Sequence, residues 1–351
     1  MSDLDQFNVH GPVQTLRIEG AEWDLTGEKW QPPRSSNMVH FRHDGKISKS
    51  ENRNPDGSVS RSGYSYDESD RLTETQFQVN DGPIHKNICH YDEFGRLIQT
   101  VRVDESGVQQ SSETFSYDAA GRKTKVQVAP ALANNTLFGF RIEGTDLYYS
   151  AEGAATMTTR YDDSELPVEA VFHDANRGLL RRVIFTRDRS GRLEKEEMQL
   201  GDDEAPFPEF EKKFENASSE ERTQLAALFA QVFGSRRIMS SATYSYDEKG
   251  RRVERRVRMG EVSEEHWTYR FDEHDNVTEE TQEHTHREMN LNEAGKPQPV
   301  NEVSTHGQWR NAYKYDDHGN WTERVVSVRL EQNPEFQPTN IERRIISYYD
   351  A

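Results

Sequence analysis

One pattern recurs nine times along this chain: an aromatic or its substitute, a polar residue, a second aromatic, Asp, two variable residues, Gly, Arg and a branched aliphatic. The clean copies run from Tyr64 to Leu72, Cys89 to Leu97, Phe115 to Lys123, Phe185 to Leu193, Tyr244 to Val253, Tyr269 to Val277 and Tyr313 to Trp321. Degenerate copies run from Val39 to Ile47 and Thr159 to Pro167, and a truncated one, Tyr349-Asp350, ends the sequence. The motif aspartates are 25 residues apart from Asp67 to Asp92, 26 from Asp92 to Asp118, 26 from Asp162 to Asp188 and 25 from Asp247 to Asp272. Three longer steps, of 44, 59 and 44 residues, mark insertions. A fixed period of this length is the signature of an array in which each unit leans on its neighbours.

Each motif position has a physical role in a β-hairpin. Asp at the head of a turn accepts hydrogen bonds from backbone N–H groups two residues on, and Gly at the fourth turn position takes the left-handed conformation that closes it. The pattern therefore predicts hairpin loops at Asp67, at Asp92 with Gly95, Asp118 with Gly121, Asp188 with Gly191, Asp247 with Gly250, Asp272, and Asp316 with Gly319. Asp70 and Asp275 stand in for Gly and tolerate the left-handed region, whereas Glu165 in the copy at Asp162 argues against a regular turn. The second aromatics, Tyr66, Tyr91, Tyr117, Tyr246, Phe271 and Tyr315, are expected to face the turn arginines across their own hairpins. Arg96, Arg122, Arg192 and Arg251 would then lie on the rings.

The column Ile47, Leu72, Leu97, Leu193, Val277 and Trp321 predicts one apolar stripe beside the turns. Two residues further on stand Lys49, Glu74, Gln99, Lys125, Glu169, Lys195, Glu279 and Glu323. In a regular strand these share a face with the column, which predicts a narrow stripe flanked by charge and a thin, curved sheet with wet surfaces. With 32% hydrophobic residues, 30% charged residues and a mean hydropathy of −1.00, composition alone would admit disorder. The regular aromatics argue for ordered strands instead.

Charge narrows the partners. A net charge of −18 repels nucleic acid and anionic lipid and favours a basic partner. The one strong basic stretch, Arg251 to Arg258, reads as a strand laddered against the acidic run Glu261 to Glu265. A single cysteine excludes an internal disulfide, and Cys89 falls in the aromatic column as a space-filler. Met1 to Gly11 lacks the cationic start and apolar run of a signal peptide, and no segment has the length and apolarity of a membrane span. These features predict a cytoplasmic protein or one exported by a signal-independent route.

The copies Tyr91-Asp92-Glu93-Phe94-Gly95-Arg96-Leu97, Tyr117-Asp118-Ala119-Ala120-Gly121-Arg122 and Tyr246-Asp247-Glu248-Lys249-Gly250-Arg251 resemble the RHS/YD-repeat family, over roughly residues 39 to 350. That family includes bacterial polymorphic toxins, shell components of insecticidal toxin complexes and teneurin ectodomains; this chain looks like its short bacterial members without a toxin domain. The resemblance implies hairpins joined edge to edge into a spiralling strip. No Asp-Pro-x-Gly core-terminating motif is present. At about 4.8 Å per strand, a strip of about eighteen strands closed once would be near 27 Å across, too small to enclose a folded cargo whose radius of gyration is about 13 Å. The expected fold is therefore mainly β, an array of antiparallel hairpins forming an open arc or a small plugged barrel. Residues 1–38 form an N-terminal cap segment and residues 39–351 the array, with insertions at 126–158, 198–242 and 282–311.

The longest insertion carries a helix signal over about 218–233. Ser218-x-x-Glu221 is a capping box, Leu225, Leu228, Phe229, Val232 and Phe233 fall at helical spacing, and Gly234 sits at the C-terminal cap. Motifs for nucleophilic, phosphate-binding, dinucleotide or zinc chemistry are missing from the sequence. Asn52 to Gly57 resembles a calcium loop, but Gly63 stands where a bidentate Glu is needed, so a hairpin turn is the better reading. Six histidines, His266, His274, His284, His286, His306 and His318, lie within 53 residues. His284 and His286 are the weak metal candidates among them, set against ordinary solvated positions. The expected protein is non-enzymatic and cofactor-free, and binds or scaffolds another protein, in connection with a bacterial toxin system. The alternatives are a carbohydrate-binding surface protein, a cytoplasmic immunity or chaperone-like protein for a basic toxin, and last a metal-dependent hydrolase using the histidine-rich insertion.

Overall fold

The computed structural model describes residues 3–24, 26, 28–129, 138–141, 148–151, 154–201, 218, 238–260, 262–291, 297–330 and 334–350. The fold is mainly β: the described strands are joined by antiparallel ladders, and the one described helix is the 3-10 turn Asp3–Phe7. The helix expected over 218–233 falls, apart from Ser218, outside the described residues. Strands Val277–Leu291 and Pro297–Tyr315 run through most of the insertion at 282–311, and the insertion at 126–158 holds the small hairpin of Phe138–Arg141 with Tyr148–Ala151.

The Asp-x-x-Gly loops form as expected. Gly95 N donates to Asp92 O and Asp92 N to Arg96 O, both at 3.0 Å, and Gly95, Gly121, Gly191, Gly250 and Gly319 take φ values of 78° to 83°. The copy at Asp162 closes in the same way, against the expectation. Glu165 takes φ 62°, its N donates to Asp162 O at 3.1 Å, and the Asp162 carboxylate holds the N–H groups of Ser164 and Leu166. The surrounding hydrogen bonds impose a conformation that costs a side-chain-bearing residue about 1 kcal/mol. Glu165→Gly is accordingly expected to raise stability by about 1 kcal/mol, read as an upward shift of the urea midpoint with an unchanged slope. Asn54 to Ser58, inside the calcium-like segment, is also a hairpin turn, with Gly57 N donating to Asn54 O at 3.0 Å.

Immediately after the repeat turns of eight copies the strand carries a β-bulge, and this overturns the expected face of the polar residues. Tyr66 pairs with Leu72 but Ser65 pairs with Glu74, so Thr73 is an extra residue. The same shift separates Ile47 from Lys49, Leu97 from Gln99, Lys123 from Lys125, Pro167 from Glu169, Leu193 from Lys195 and Trp321 from Glu323. One added residue flips a strand whose side chains alternate. The polar residues therefore leave the face of the column and join the opposite one. In the copy at Tyr244 the residue opposite Tyr246 is Arg252, so Arg252 takes the column position and Val253 is the bulge. Hydroxyls seal several bulges, with Ser48, Thr73, Thr124, Thr278 and Thr322 each donating to a carbonyl across the hairpin.

The flip separates a charged face from an apolar one, so the apolar stripe is wider than the sequence pattern indicates. On the charged face Glu74 pairs with Lys86 at 3.2 Å, Glu169 with Arg160 and Arg182 at 3.1 and 3.2 Å, and Glu323 with Lys314 and Arg343 at 2.7 and 3.2 Å. The basic stretch ladders with its acidic neighbour as expected: Glu264 holds Arg256 and Arg258 at 3.3 and 2.9 Å.

The chain divides into two compact units, one of Met1–Ser112, Arg270–Glu280 and Gly307–Ala351, the other of Glu113–Tyr269 and Thr281–His306. The second unit is built around Val126, Val128, Met157, Ala170, Phe172, Val183, Phe185, Leu193, Ala242 and Tyr244. In the first, Val9, Val13, Leu16, Val39, Phe41 and Ile47 form the core, with Leu4, Phe7 and Tyr348 against it. Its strand Val13–Asp24 lies between Ser35–Phe41 and Gln337–Tyr348, so residues 1–38 supply a full sheet strand as well as a cap. That strand covers the edges that the first and last hairpins would otherwise expose.

Candidate functional site

The turns are also where neighbouring repeats are fastened together, and two kinds of junction result. In the first, Asp67 Oδ1 accepts the N–H groups of Ser69 and Arg71, both at 2.9 Å, while its Oδ2 accepts Arg71 Nε at 2.7 Å. The guanidinium then lies 4.8 Å from the ring of Tyr91, whose hydroxyl donates to Leu72 O at 2.8 Å. The set recurs at Asp188, Arg192, Tyr246 and Leu193 O and at Asp118, Arg122, Tyr161 and Lys123 O. In the first copy Arg42 covers Tyr66, and Tyr66 donates to Ile47 O.

These contacts correct the expected stacking. The arginine covers the tyrosine of the following repeat, because the bond from Nε to its own Asp aims the flat guanidinium along the sheet. Arg96 and Arg251 keep the same bond to Asp92 and Asp247, at 2.7 Å each. Tyr117 sits at the turn opposite Lys123, and Phe271 ends the strand Ser263–Phe271.

The second junction replaces Arg by Asn and adds a histidine. Asp316 Oδ2 accepts the Tyr348 hydroxyl at 2.5 Å, Asn320 Nδ2 donates to the same hydroxyl at 2.8 Å, and His318 stacks on the Tyr348 ring at 4.0 Å. Asp272, Tyr315, Asn276 and His274 repeat the arrangement. Burial, then the bond to Asp316, pushes the Tyr348 phenol up to about 12; the same causes push Tyr315 up.

The N-terminal segment docks on these asparagines. His10 N donates to Asn320 Oδ1 at 2.7 Å and Asn320 Nδ2 to His10 O at 2.9 Å, Asn8 Nδ2 reaches Asn276 Oδ1 at 3.2 Å, and Asp3 accepts Ile47 N at 2.7 Å. The truncated copy is part of the same system: Tyr349 stacks on His43 at 3.6 Å and donates to Phe41 O at 2.6 Å. Asn8, His10, Asn276 and Asn320 were not singled out by the pattern; the substitution of Asn for Arg, two residues after His274 and His318, is the signal that marks them.

The hydrogen bond to Arg71 holds the Asp67 carboxyl below the usual carboxylate range, and the Arg122 N–H does the same for Asp118. A carboxyl lowered on folding contributes stability that is complete above its unfolded pKa, about 4, and is lost as the pH falls through its folded value. The contribution of these carboxylates to the urea midpoint is expected to be flat between about pH 8 and 5 and to drop below about pH 4. Asp67→Asn should flatten part of that acid limb.

The six clustered histidines do not converge on one point, although His266 Nδ1 and His306 Nδ1 lie 3.6 and 3.7 Å from the two oxygens of the Glu283 carboxylate. His274 and His318 are the stacking partners of Tyr315 and Tyr348. His266 Nε2 lies 2.7 Å from Glu254 Oε1, His284 Nε2 lies 3.1 Å from Ser263 Oγ, and His286 is exposed. Among the described residues no group of three or more His, Cys, Asp or Glu is placed to hold a metal ion, and no helix is long and apolar enough to cross a membrane. Cys89 is half-buried in its column, and burial raises its thiol pKa.

The family model described as RHS Repeat matches residues 91–129. The chain carries an RHS repeat. The matched segment begins at the Tyr91-Asp92 junction, so the motif residues Asp92, Gly95, Arg96, Asp118, Gly121 and Arg122 all lie inside it. No curated protein matches the sequence. Among solved structures, the chain is similar at 11% identity and a TM-score of 0.37 to one in the crystal structure of TcdB2-TccC3-Cdc42, covering 92% of this chain and 16% of that one. A chain of TcdB2-TccC3-TEV matches at 13% identity and a TM-score of 0.37, covering 92% and 14%. A porin-like protein from Bacteroides uniformis ATCC 8492 matches at 10% identity and a TM-score of 0.36, covering 96% and 97%. This chain thus spans about a sixth of the toxin-complex chains it resembles.

Proposed function

We propose that the protein is a non-catalytic scaffold that presents the fixed turns of its RHS repeats to a basic partner protein. One residue carries this reading. Phe94 stands at a turn tip, 74% exposed, where the other copies have Asp44, Ser69, Ala120, Ser164, Ser190, Lys249, His274 and His318. The tip is rigid: Phe94 N donates to Asp92 Oδ1 at 3.0 Å, and the Arg96 guanidinium lies 5.0 Å from the Phe94 ring. A preorganised, exposed aromatic is the kind of side chain that anchors a protein interface. Glu93 beside it and the net charge of −18 select a basic partner and speed its approach.

The test begins with affinity capture from the native host and continues with the purified partner and its measured dissociation constant. A basic partner is expected, with Phe94→Ala weakening binding at least tenfold while the melting temperature stays constant. Equal binding by Phe94→Ala, or an acidic partner whose binding does not weaken with salt, would overturn the assignment.

A further inference from the structure

On the charged face Glu74, Glu169, Glu264 and Glu323 each meet Lys or Arg, whereas Glu283 meets two histidines. Its Oε2 lies 3.6 Å from His266 Nδ1 and its Oε1 3.7 Å from His306 Nδ1, and it makes no ion pair with Lys or Arg among the described residues. His266 is bound on its far side as well, with Nε2 2.7 Å from Glu254 Oε1. A row of alternating carboxylate and imidazole therefore crosses four strands. It runs from Glu254 on Arg252–Met259, through His266 on Ser263–Phe271 and Glu283 on Val277–Leu291, to His306 on Pro297–Tyr315.

The charges around the row leave Glu283 uncompensated. Arg256 is shared between Glu254 and Glu264 at 3.2 and 3.3 Å, Arg258 is held by Glu264 at 2.9 Å, and Arg256 also lies 3.5 Å from His266 Nε2. Glu302 is taken by Arg287 at 2.7 Å. Glu254, Glu264 and Glu283 thus face only the Arg256 and Arg258 guanidiniums, and one negative charge is left over for the imidazoles. On the opposite face His284 Nε2 lies 3.1 Å from Ser263 Oγ, and His286 is exposed.

The row ends on a lightly held part of the sheet. The ladder between Pro297–Tyr315 and Trp321–Leu330 stops at Gly307 and Leu330, and residues 301–306 are all exposed. Thr285 meets Ser304 at 3.0 Å, and Thr268 meets Thr281 at 2.5 Å. A carboxylate accepts only from a donor, so the bond to Glu254 fixes the proton of a neutral His266 on Nε2. Its Nδ1 then turns a bare lone pair toward Glu283, too far for a hydrogen bond and with nothing to donate. A second proton converts that contact into a charge-assisted bond, and a protonated His306 gives the other oxygen of Glu283 the same bond.

We propose that Glu283, His266 and His306 form a proton-operated clasp, which fastens the arm of residues 281–287 and 301–306 to the strand Ser263–Phe271 as the pH falls. Histidine changes charge between about pH 5 and 8, where the repeat carboxylates remain ionised, so the two responses are separable. Protection that depends on a bound proton is present at the acid end of this range and is lost as the pH rises through it. The clasp does not depend on the partner assigned to the Phe94 turn, so either reading can fail without the other.

The experiment is hydrogen exchange of the full chain at about pH 7.5 and about pH 5.5, corrected for the pH dependence of the intrinsic exchange rate. Protection of residues 281–287 and 301–306 is expected to rise about threefold or more at the lower pH, the scale of exposed ion pairs, while the strand Leu193–Leu200 stays constant. The Glu283 side chain is 59% exposed, so Glu283→Gln should fold normally and abolish the rise. His266→Gln and His306→Gln should each reduce it, and His284→Gln should keep it. No rise in the parent, an equal rise in Glu283→Gln, loss of the rise in His284→Gln, or a rise of the same size in Leu193–Leu200 would each overturn the proposal.

Discussion

Replacing Asn320 by alanine is expected to cost about 2 to 6 kcal/mol, because it orphans both His10 backbone groups, each of which forfeits about 1 to 3 kcal/mol, while Tyr348 keeps its bond to Asp316. Asn320 is 1% exposed. Its amide group donates to His10 O and to the Tyr348 hydroxyl, and its carbonyl accepts His10 N. The substitution therefore releases the N-terminal segment and the Tyr348 junction together. Urea denaturation should show a lowered midpoint, and hydrogen exchange should show lost protection at His10 together with loosening around Val9 and Val13, which are 2% and 1% exposed. Asn320→Asp is the informative control, since it keeps an acceptor for His10 N but removes both donors and sets a second carboxylate beside Asp316. It should be at least as damaging as alanine. A midpoint within experimental error of the parent would show that the N-terminal segment is held by apolar packing alone.

Phe172→Ala is expected to destabilise the second unit by about 3 to 5 kcal/mol, the range for removing a buried aromatic from a packed core. Phe172 is 1% exposed and sits in the cluster with Val126, Met157, Val183 and Phe185. Its strand is bonded on both sides, to Thr156–Tyr161 and Leu179–Arg187, so the hydrogen-bonded frame resists the collapse that would close the cavity. Phe172→Leu should recover more than half of the loss. Calorimetry should place the effect in the transition that contains this unit; a loss under 1 kcal/mol would mean that the cluster repacks freely.

The turns were the most legible part of the sequence, because Asp-x-x-Gly chemistry is local. The same local rules misjudged Glu165, whose carbon side chain adopts a glycine conformation since Asp162 and the two paired strands leave the backbone no alternative. They also misjudged the polar residues after each turn. Strand alternation placed Lys49 and Glu74 beside the apolar column, and a single bulge residue moved them to the other face. The hydroxyls at Ser48, Thr73, Thr124, Thr278 and Thr322 were the available sign of that bulge. For the candidate site, Phe94 is visible as a departure from its column in the sequence.

The repeat by itself determined the hairpins, their turns, the antiparallel β class and the resemblance to RHS repeats, since each follows from contacts a few residues apart. Only the tertiary structure decided how the hairpins are fastened to one another. Arg71 reaches Tyr91 and Arg192 reaches Tyr246, while Asn320 reaches back to His10 across 310 residues. Such partners have no fixed spacing in the chain. They are selected by which backbones hydrogen-bond side by side, and by where one extra residue turns a strand over.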